Sequence, residues 1–92
     1  MVNEQIAELL NTQVNKEFYS AYLYLAFSNY FSEVGLDGFS NWYLIQAQEE
    51  RDHAMLFVQY MQNNDLSVAY EAIDKPVFQA NEHLDVLKAA LN

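Results

Sequence analysis

The chain has 92 residues, enough for one small domain, and 52% of them are hydrophobic. With two Gly, one Pro and no Cys, the composition favours a few long helices and excludes a fold held by disulfides. The formal net charge of −9 argues against binding to nucleic acid or anionic lipid and suits cationic partners.

The N-terminal stretch MVNEQIAELLNTQ lacks the features of a targeting segment. It has neither a basic start nor an unbroken apolar core, so a signal peptide is not expected. No run in the chain reaches the roughly 18 apolar residues of a membrane span. We therefore expect a cytoplasmic protein that does not contact the membrane.

A first long helix is predicted from about residue 4 to residue 33, where apolar residues recur at helical spacing. Asn3 is suited to cap this helix, and Glu4 suits the positive end of its dipole. The segment EVGLDG, which contains both glycines, ends the helix. The side chains predicted to face the core are Ile6, Leu10, Gln13, Glu17, Tyr24, Ser28 and Phe31, widened by Leu9, Val14, Ala21 and Leu25.

A second helix is predicted from about residue 38 to residue 63, with Asp37 as its N-cap. The connection to the first helix is short, which predicts an antiparallel helical hairpin and an all-α fold. The inward stripe of the second helix is predicted to comprise Phe39, Trp42, Gln46, Glu50, His53, Phe57, Tyr60 and Met61.

A long crossover follows from about residue 64 to residue 81, and Pro76 interrupts it. Connections of this length join elements that are far apart in space, such as helices that run parallel. The start of a third helix is predicted at about 82–92, where Leu84, Leu87 and Leu91 recur at helical spacing. We interpret His83, in the same segment, as a surface residue.

Each long helix carries one carboxylate near mid-height, Glu17 and Glu50, and His53 follows Glu50 by three residues. In an antiparallel hairpin, residues equidistant from the turn lie at one level. The midpoints (17 + 50)/2 = 33.5 and (17 + 53)/2 = 35 both fall in EVGLDG, so the three side chains are predicted to meet. Bringing two carboxylates and an imidazole together costs free energy unless a cation neutralises the negative charge. Their oxygen and nitrogen atoms suit iron, manganese or zinc as that cation.

Tyr24 lies two turns from Glu17 on the same stripe and pairs in height with Gln46, so its phenol could hydrogen-bond to a metal ligand. The competing interpretations are structural. Tyr24 could serve core packing, and the carboxylates could lie on a solvated face or pair with Arg or Lys. We expect no such pairing, because Lys16 and Arg51 lie off the two stripes.

Two segments resemble the N-terminal half of a bacterial non-haem ferritin, and the resemblance covers nearly all 92 residues. They are LNTQVNKEFYSAYLYLA, around Glu17 and Tyr24, and FSNWYLIQAQEERDHAMLFVQYM, around Glu50 and His53. Ferritin-like proteins are themselves the known example of a di-iron bundle with one Glu from each of two helices and a Glu-x-x-His from each of the other two. The resemblance implies a single domain over 1–92 that forms half of a ferritin-like four-helix bundle.

The resemblance also implies a ferroxidase, which oxidises Fe(II) with O2 or H2O2 and stores the ferric mineral in a shell of twenty-four subunits. Arg51 stands where haem-binding relatives carry Met, so haem is not expected. By the same resemblance Glu17 is a terminal ligand, Glu50 the bridging carboxylate, His53 the nitrogen ligand, Glu49 a ligand of an extra iron site, and Tyr24 the tyrosine beside the di-iron centre.

Three ligands are too few to hold two irons, and two explanations stay open. The chain is a piece of a longer ferritin, or two chains pair as a symmetric dimer in which each supplies one Glu and one Glu-x-x-His. Two other functions also stay open. One is a peroxide-reducing di-iron protein of the rubrerythrin type, which the lack of Cys disfavours. The other is a non-catalytic helical association module that binds metal.

Overall fold

The computed structural model describes residues 3–76. Within that range the chain forms two α-helices, α1 at Glu4–Glu33 and α2 at Asp37–Asn63, and no strand. The sequence predicts helices at about 4–33 and 38–63. The predicted all-α helical hairpin is therefore confirmed.

Hydrogen bonds cap both ends of α1. At its start the side-chain oxygen of Asn3 accepts a hydrogen bond from the Ile6 N–H at 2.9 Å, as the sequence predicts for a cap. At its end Gly35 adopts a left-handed φ of 79°, which a residue without a Cβ adopts at no steric cost. The Leu36 N–H then donates to the Phe31 carbonyl at 2.8 Å, and the chain reverses within three residues.

The start of α2 differs from the prediction that Asp37 caps this helix. Leu36 is the N-cap and makes no side-chain cap hydrogen bond, while Asp37 is already the first helical residue. The tight turn brings the Leu36 carbonyl within 3.0 Å of the Ser40 N–H, so the helix begins one residue earlier than expected. Asp37 lies in the first turn, where its negative charge interacts favourably with the positive end of the helix dipole.

A narrow seam of buried side chains joins the two helices, and the middle of this seam consists of small residues. Ala21 of α1 and Ala47 and Ala54 of α2 are all buried, which lets the backbones approach closely at mid-height. Larger side chains flank this middle on both sides. They are Phe27, Phe31 and Tyr43 beside the turn, and Val14, Val58 and Met61 towards the far end.

The predicted inward stripe of α2 is wrong for three of its four aromatic members. Phe39, Trp42 and Tyr60 are 47%, 53% and 48% exposed, whereas Tyr43, one position further along, lies in the seam. The prediction followed the most hydrophobic side chains, but two helices cover only part of each other's apolar surface. The large residues line a second face next to the seam, which residues 3–76 leave uncovered.

The first part of the crossover is fixed to the outer side of α1 by two asparagines. The Ala69 N–H donates to Asn11 Oδ1 at 2.8 Å, and the Ala69 carbonyl accepts from Asn15 Nδ2 at 3.0 Å. The Glu71 N–H donates to Asn15 Oδ1 at 2.9 Å. The crossover therefore lies on α1 through backbone contacts.

Residues 66–76 of the crossover contain no helix or strand. The predicted third helix at about 82–92 lies outside the described residues. Neither α1 nor α2 combines the length and apolar character required to cross a membrane.

Candidate metal centre

Glu17, Glu50 and His53 lie together at one level of the hairpin. One ligand atom from each side chain falls within 4.8 Å of the other two. The Nδ1 atom of His53 lies 3.9 Å from a carboxylate oxygen of Glu17 and 3.9 Å from one of Glu50. Counting residues from the turn therefore locates the level at which the helices bring ligands together.

The three side chains are buried to different degrees, which gives the cluster an open side. The side chains of Glu17 and Glu50 are 16% and 21% exposed, whereas that of His53 is 54% exposed. The carboxylates lie at the edge of the seam, and the imidazole stands outside it. Glu17 and His53 also line a groove with the apolar residues Leu10, Leu56, Phe57 and Tyr60.

The carboxyl of Glu50 holds its proton more tightly than a free carboxyl does. A hydrogen bond with Glu17, reinforced by burial and by the Glu17 charge, raises the pKa of Glu50 to about 7, although His53 opposes the rise. The proton screens two acidic groups that would otherwise repel each other. A divalent cation at this position neutralises both, and its binding releases the proton.

Gln13 of α1 contacts the candidate metal ligand Glu17, a contact that its place on the α1 stripe alone does not predict. Its Nε2 donates to Oε1 of Glu17 at 2.8 Å and holds one oxygen of that carboxylate in place. The spacing of four residues between Gln13 and Glu17 is the signal that could have revealed this pair, because such residues are neighbours on a helix surface. Support of this kind orients a metal ligand.

Tyr24 lies beside the cluster and belongs to the aromatic packing near the turn. Its ring centroid is 6.3 Å from that of Phe27 and 5.9 Å from that of Tyr43. Burial, followed by the negative charges of Glu50 and Glu17, raises the pKa of its phenol. Within residues 3–76 no hydrogen bond joins the phenol to either carboxylate, and its ring packs against Phe27 and Tyr43.

Glu49 does not join the other three. It is exposed, and among residues 3–76 the group with metal-ligand spacing contains only Glu17, Glu50 and His53. Its charge still contributes to the raised pKa of Glu50. Adjacent residues on a helix point about 100° apart, so Glu49 cannot share the direction of Glu50.

No cation of the chain neutralises the cluster within the described range. Arg51 lies 3.8 Å from Asp52, and both side chains are more than half exposed. Lys16 is exposed and borders a separate depression with Glu71 and Asp74. Two carboxylates and an imidazole at an open edge form a donor set that suits a divalent transition metal.

Comparison with known proteins places this hairpin among ferritins. The family model described as "Ferritin-like domain" matches residues 7–92. The bacterial non-heme ferritin of Campylobacter jejuni is 35% identical over 88 residues, covering 96% of this chain and 53% of that protein. The bacterial non-heme ferritin of Staphylococcus epidermidis is 30% identical over 91 residues, covering 99% and 55%. The chain thus spans about half the length of these relatives.

Solved structures agree with the sequence comparison. The open-pore ferritin of the hyperthermophilic archaeon Archaeoglobus fulgidus superposes with a TM-score of 0.91 at 38% identity, over 97% of this chain and 55% of that one. A variant of PmFTN soaked in iron superposes with a TM-score of 0.93 at 28% identity, over 96% and 57%. With the family model and these relatives in agreement, the chain belongs to the ferritin family, and its helical hairpin corresponds to half of the family's four-helix bundle.

Proposed function

We propose that this chain contributes to iron oxidation and storage, with Glu17, Glu50 and His53 as ligands of Fe(II). The observation that carries the proposal is the convergence of these three side chains, whose ligand atoms lie within 4.8 Å of one another at an open edge of the hairpin. Membership of the ferritin family and the iron-soaked relative support iron as the metal.

The charge of the donor set explains why such a site favours oxidation. Two carboxylates offset the charge of Fe(II), and their attraction grows when the ion becomes Fe(III). Hard oxygen ligands therefore stabilise the oxidised ion more than the reduced one. Two Fe(II) ions supply two electrons, which with two protons reduce O2 to H2O2 or H2O2 to two waters.

We assign separate roles to the residues around the cluster. Glu50, whose carboxyl contacts Glu17 across the seam, is the proposed bridge between two metal ions, and Glu17 and His53 are proposed terminal ligands. Glu49, exposed next to Glu50, is the proposed ligand of an additional iron site. Tyr24 is the proposed tyrosine next to the oxidation site, and no haem takes part.

The proposal extends to the whole protein. Ferric mineral is stored in a homo-oligomeric shell in the cytoplasm, as the resemblance to bacterial non-haem ferritins implies. The curated relatives of about twice this length support that assignment through their names.

Anaerobic titration with Fe(II), followed by admission of oxygen, tests the function. We expect stoichiometric Fe(II) binding and oxygen-dependent appearance of ferric absorption, both lost in Glu17→Ala. Glu8→Ala, which removes an exposed carboxylate elsewhere on α1, is the matched control and should behave as the parent chain. Metal binding without any reaction with oxygen or peroxide would instead identify a non-catalytic association module.

A further inference from the structure

Ser28 and Ser40 form a reciprocal hydrogen-bonded pair that joins the two helices close to the turn. The Ser28 hydroxyl donates to the Ser40 carbonyl at 2.7 Å, and the Ser40 hydroxyl donates to the Ser28 carbonyl at 2.8 Å. Ser28 is only 8% exposed, and among residues 3–76 it is the one polar residue that is buried. Hydrogen bonds of a buried hydroxyl mainly offset its lost hydration, so the pair contributes more to geometry than to net stability.

The serine pair belongs to the same seam as the candidate metal ligands. In an antiparallel hairpin, positions with the same midpoint along the chain lie at one level. The midpoint of 28 and 40 is 34, as is that of 21 and 47 and that of 14 and 54. Glu17 and Glu50, with a midpoint of 33.5, lie between the two levels further from the turn. In order from the turn, the levels are Ser28 with Ser40, Ala21 with Ala47, and Val14 with Ala54.

The seam levels on either side of the ligands contain only apolar side chains, and apolar contacts have no preferred direction. They oppose separation of the helices more than a slide or rotation of one helix against the other. The serine bonds are directional, because each joins a side chain of one helix to the backbone of the other. A slide of one residue, about 1.5 Å along the axis, would disrupt both bonds. In coiled coils a single buried polar residue fixes the register in the same way.

The distance of the ligands from the turn makes a second attachment point important. Glu17 lies about 24 Å along α1 from the end of this helix at Glu33, whereas Ser28 lies only about 8 Å from it. A small change of angle at the turn is therefore a large displacement at Glu17. With the turn as one fixed point and the serine pair as another, the direction of α1 relative to α2 is set.

We propose that Ser28 and Ser40 are positioning residues for the candidate metal centre. Their reciprocal hydrogen bonds fix the register and rotation of α1 against α2, and this holds the ligand side chains of both helices within reach of one cation. Both serines lie inside the hairpin, so the inference does not depend on what covers its outer surfaces. It rests on the proposed function only for the identity of the metal as iron.

Titration of serine variants with Co(II) tests the pair. Co(II) is the probe because it keeps its oxidation state in air. Ser28→Ala and Ser40→Ala each remove one of the two hydrogen bonds and leave the other serine its bond, because the acceptors are backbone carbonyls. We expect the double variant Ser28→Ala/Ser40→Ala to bind Co(II) about tenfold or more weakly, although no proposed ligand has changed. Each single variant should lie between the double variant and the parent chain.

Two further variants and a measurement of stability separate positioning from general packing. Ser40→Thr keeps the hydroxyl and should bind Co(II) within about threefold of the parent chain. Ser32→Ala, at an exposed position one turn beyond Ser28, is the matched control and should stay within about twofold. The double alanine variant should unfold within about 5 °C of the parent, because both side-chain hydroxyls are removed together. A lower unfolding midpoint with unchanged Co(II) affinity would overturn the proposal. If the double variant loses its helical circular dichroism, the two single variants decide in its place.

Spin labels measure the register of the helices directly and without metal. The chain has no Cys, so nitroxides can be attached through Glu8→Cys on α1 and Gln59→Cys on α2, two exposed positions at nearly one level. In chelator, we expect the double serine variant to broaden or shift the distribution of label-to-label distances, measured by electron paramagnetic resonance. Ser32→Ala should leave this distribution as in the parent, and an unchanged distribution in the double variant would refute the inference. A parent chain that fails to bind Co(II) would refute the proposed metal site, and the label distances would then decide alone whether the serines set the register.

Discussion

Glu50 occupies the most consequential position in the chain, because it contacts the carboxyl of Glu17 across the seam and lies 3.9 Å from the imidazole of His53. Its side chain is only 21% exposed, so its charge is poorly hydrated. A poorly hydrated charge of this kind destabilises the folded chain when it has no partner, and it binds a cation strongly when one is present. The same residue should therefore limit stability without metal and affinity with it.

Replacing Glu50 by Ala should abolish tight Fe(II) binding while leaving the helices formed. The change removes the proposed bridge, and it also removes a source of repulsion from the half-buried edge of the seam. We expect at least about a hundredfold loss of affinity in an anaerobic titration, with helical circular dichroism unchanged. Unchanged stoichiometry would exclude Glu50 from the site, and a loss of helical signal would give it a structural role.

Stability of the metal-free chain should depend on pH through Glu50. Its pKa in the folded chain is about 7, above the value of 4.5 for a free carboxyl. The folded state thus binds this proton more tightly, and the resulting stability is complete below about pH 4.5 and is lost as pH rises through about 7. Glu50→Gln cannot ionise and should avoid this loss.

Urea denaturation in chelator tests the pH dependence. At about pH 8 we expect Glu50→Gln to be more stable than the parent chain by about 1–2 kcal/mol, allowing for solvent screening of a partly exposed group. At about pH 5 the difference should shrink, because Glu50 is then protonated in the folded state and increasingly so in the unfolded one. Glu8→Gln, a change at an exposed carboxylate, should show no such trend.

At the scale of the elements, the close approach of α1 and α2 depends on the alanines at the middle of the seam. Ala54 is 0% exposed and Ala47 is 5% exposed. Their spacing of seven residues keeps both on one side of α2, close to two turns apart. Small side chains at Ala47 and Ala54 favour a close approach of the helices near the level at which the carboxylates meet.

Ala54→Leu should disturb the site as well as the packing. A larger side chain in this seam forces the helices apart and should cost about 1–3 kcal/mol of unfolding free energy. Because the ligands come from both helices, Co(II) affinity should also fall, even though Glu17, Glu50 and His53 are all retained. Gln59→Leu, at an exposed position of α2, is the control. Lower stability with unchanged metal affinity would mean that the ligands do not depend on the seam.

The sequence predicts the bounds of both helices, and it predicts the height along the hairpin at which Glu17 and Glu50 meet. The two predictions have different physical grounds. Helical spacing and the two glycines of EVGLDG suffice for the bounds of α1 and α2, and counting from the turn suffices to bring Glu17 and Glu50 together. The face of α2 is harder to predict. Trp42 is more hydrophobic than Ala47, yet Ala47 is buried in the seam and Trp42 is exposed, because close helix packing selects small side chains.

At the scale of the whole molecule, the seam is the apolar surface that the described residues cover most completely. Val14, Phe27, Phe31, Val58 and Met61 are almost completely buried there. Much of the folding free energy thus comes from packing that involves no metal ligand. In this respect the hairpin differs from a zinc finger, in which the metal takes the place of the core.

Removal of metal should therefore leave the helices intact. We expect the helical circular dichroism of the chain to be the same in chelator and in Co(II), within about a tenth of the signal. The midpoint of thermal unfolding should still rise with Co(II), because metal binds only the folded state. A collapse of the helical signal in chelator would show that the seam alone does not hold the hairpin together.

The asparagine contacts to the crossover have a consequence for how this segment can vary between relatives. Asn11 and Asn15 hydrogen-bond to the N–H and carbonyl of Ala69 and to the N–H of Glu71. These contacts depend on the backbone geometry of the crossover and not on the side chains at 69 and 71. Substitutions at 69 and 71 should accordingly be tolerated as long as the backbone stays extended. The two asparagines have no such freedom, since Asn11 pairs with one backbone group of the crossover and Asn15 pairs with two. Sequence variation between relatives should thus be greater at positions 69 and 71 than at Asn11 and Asn15.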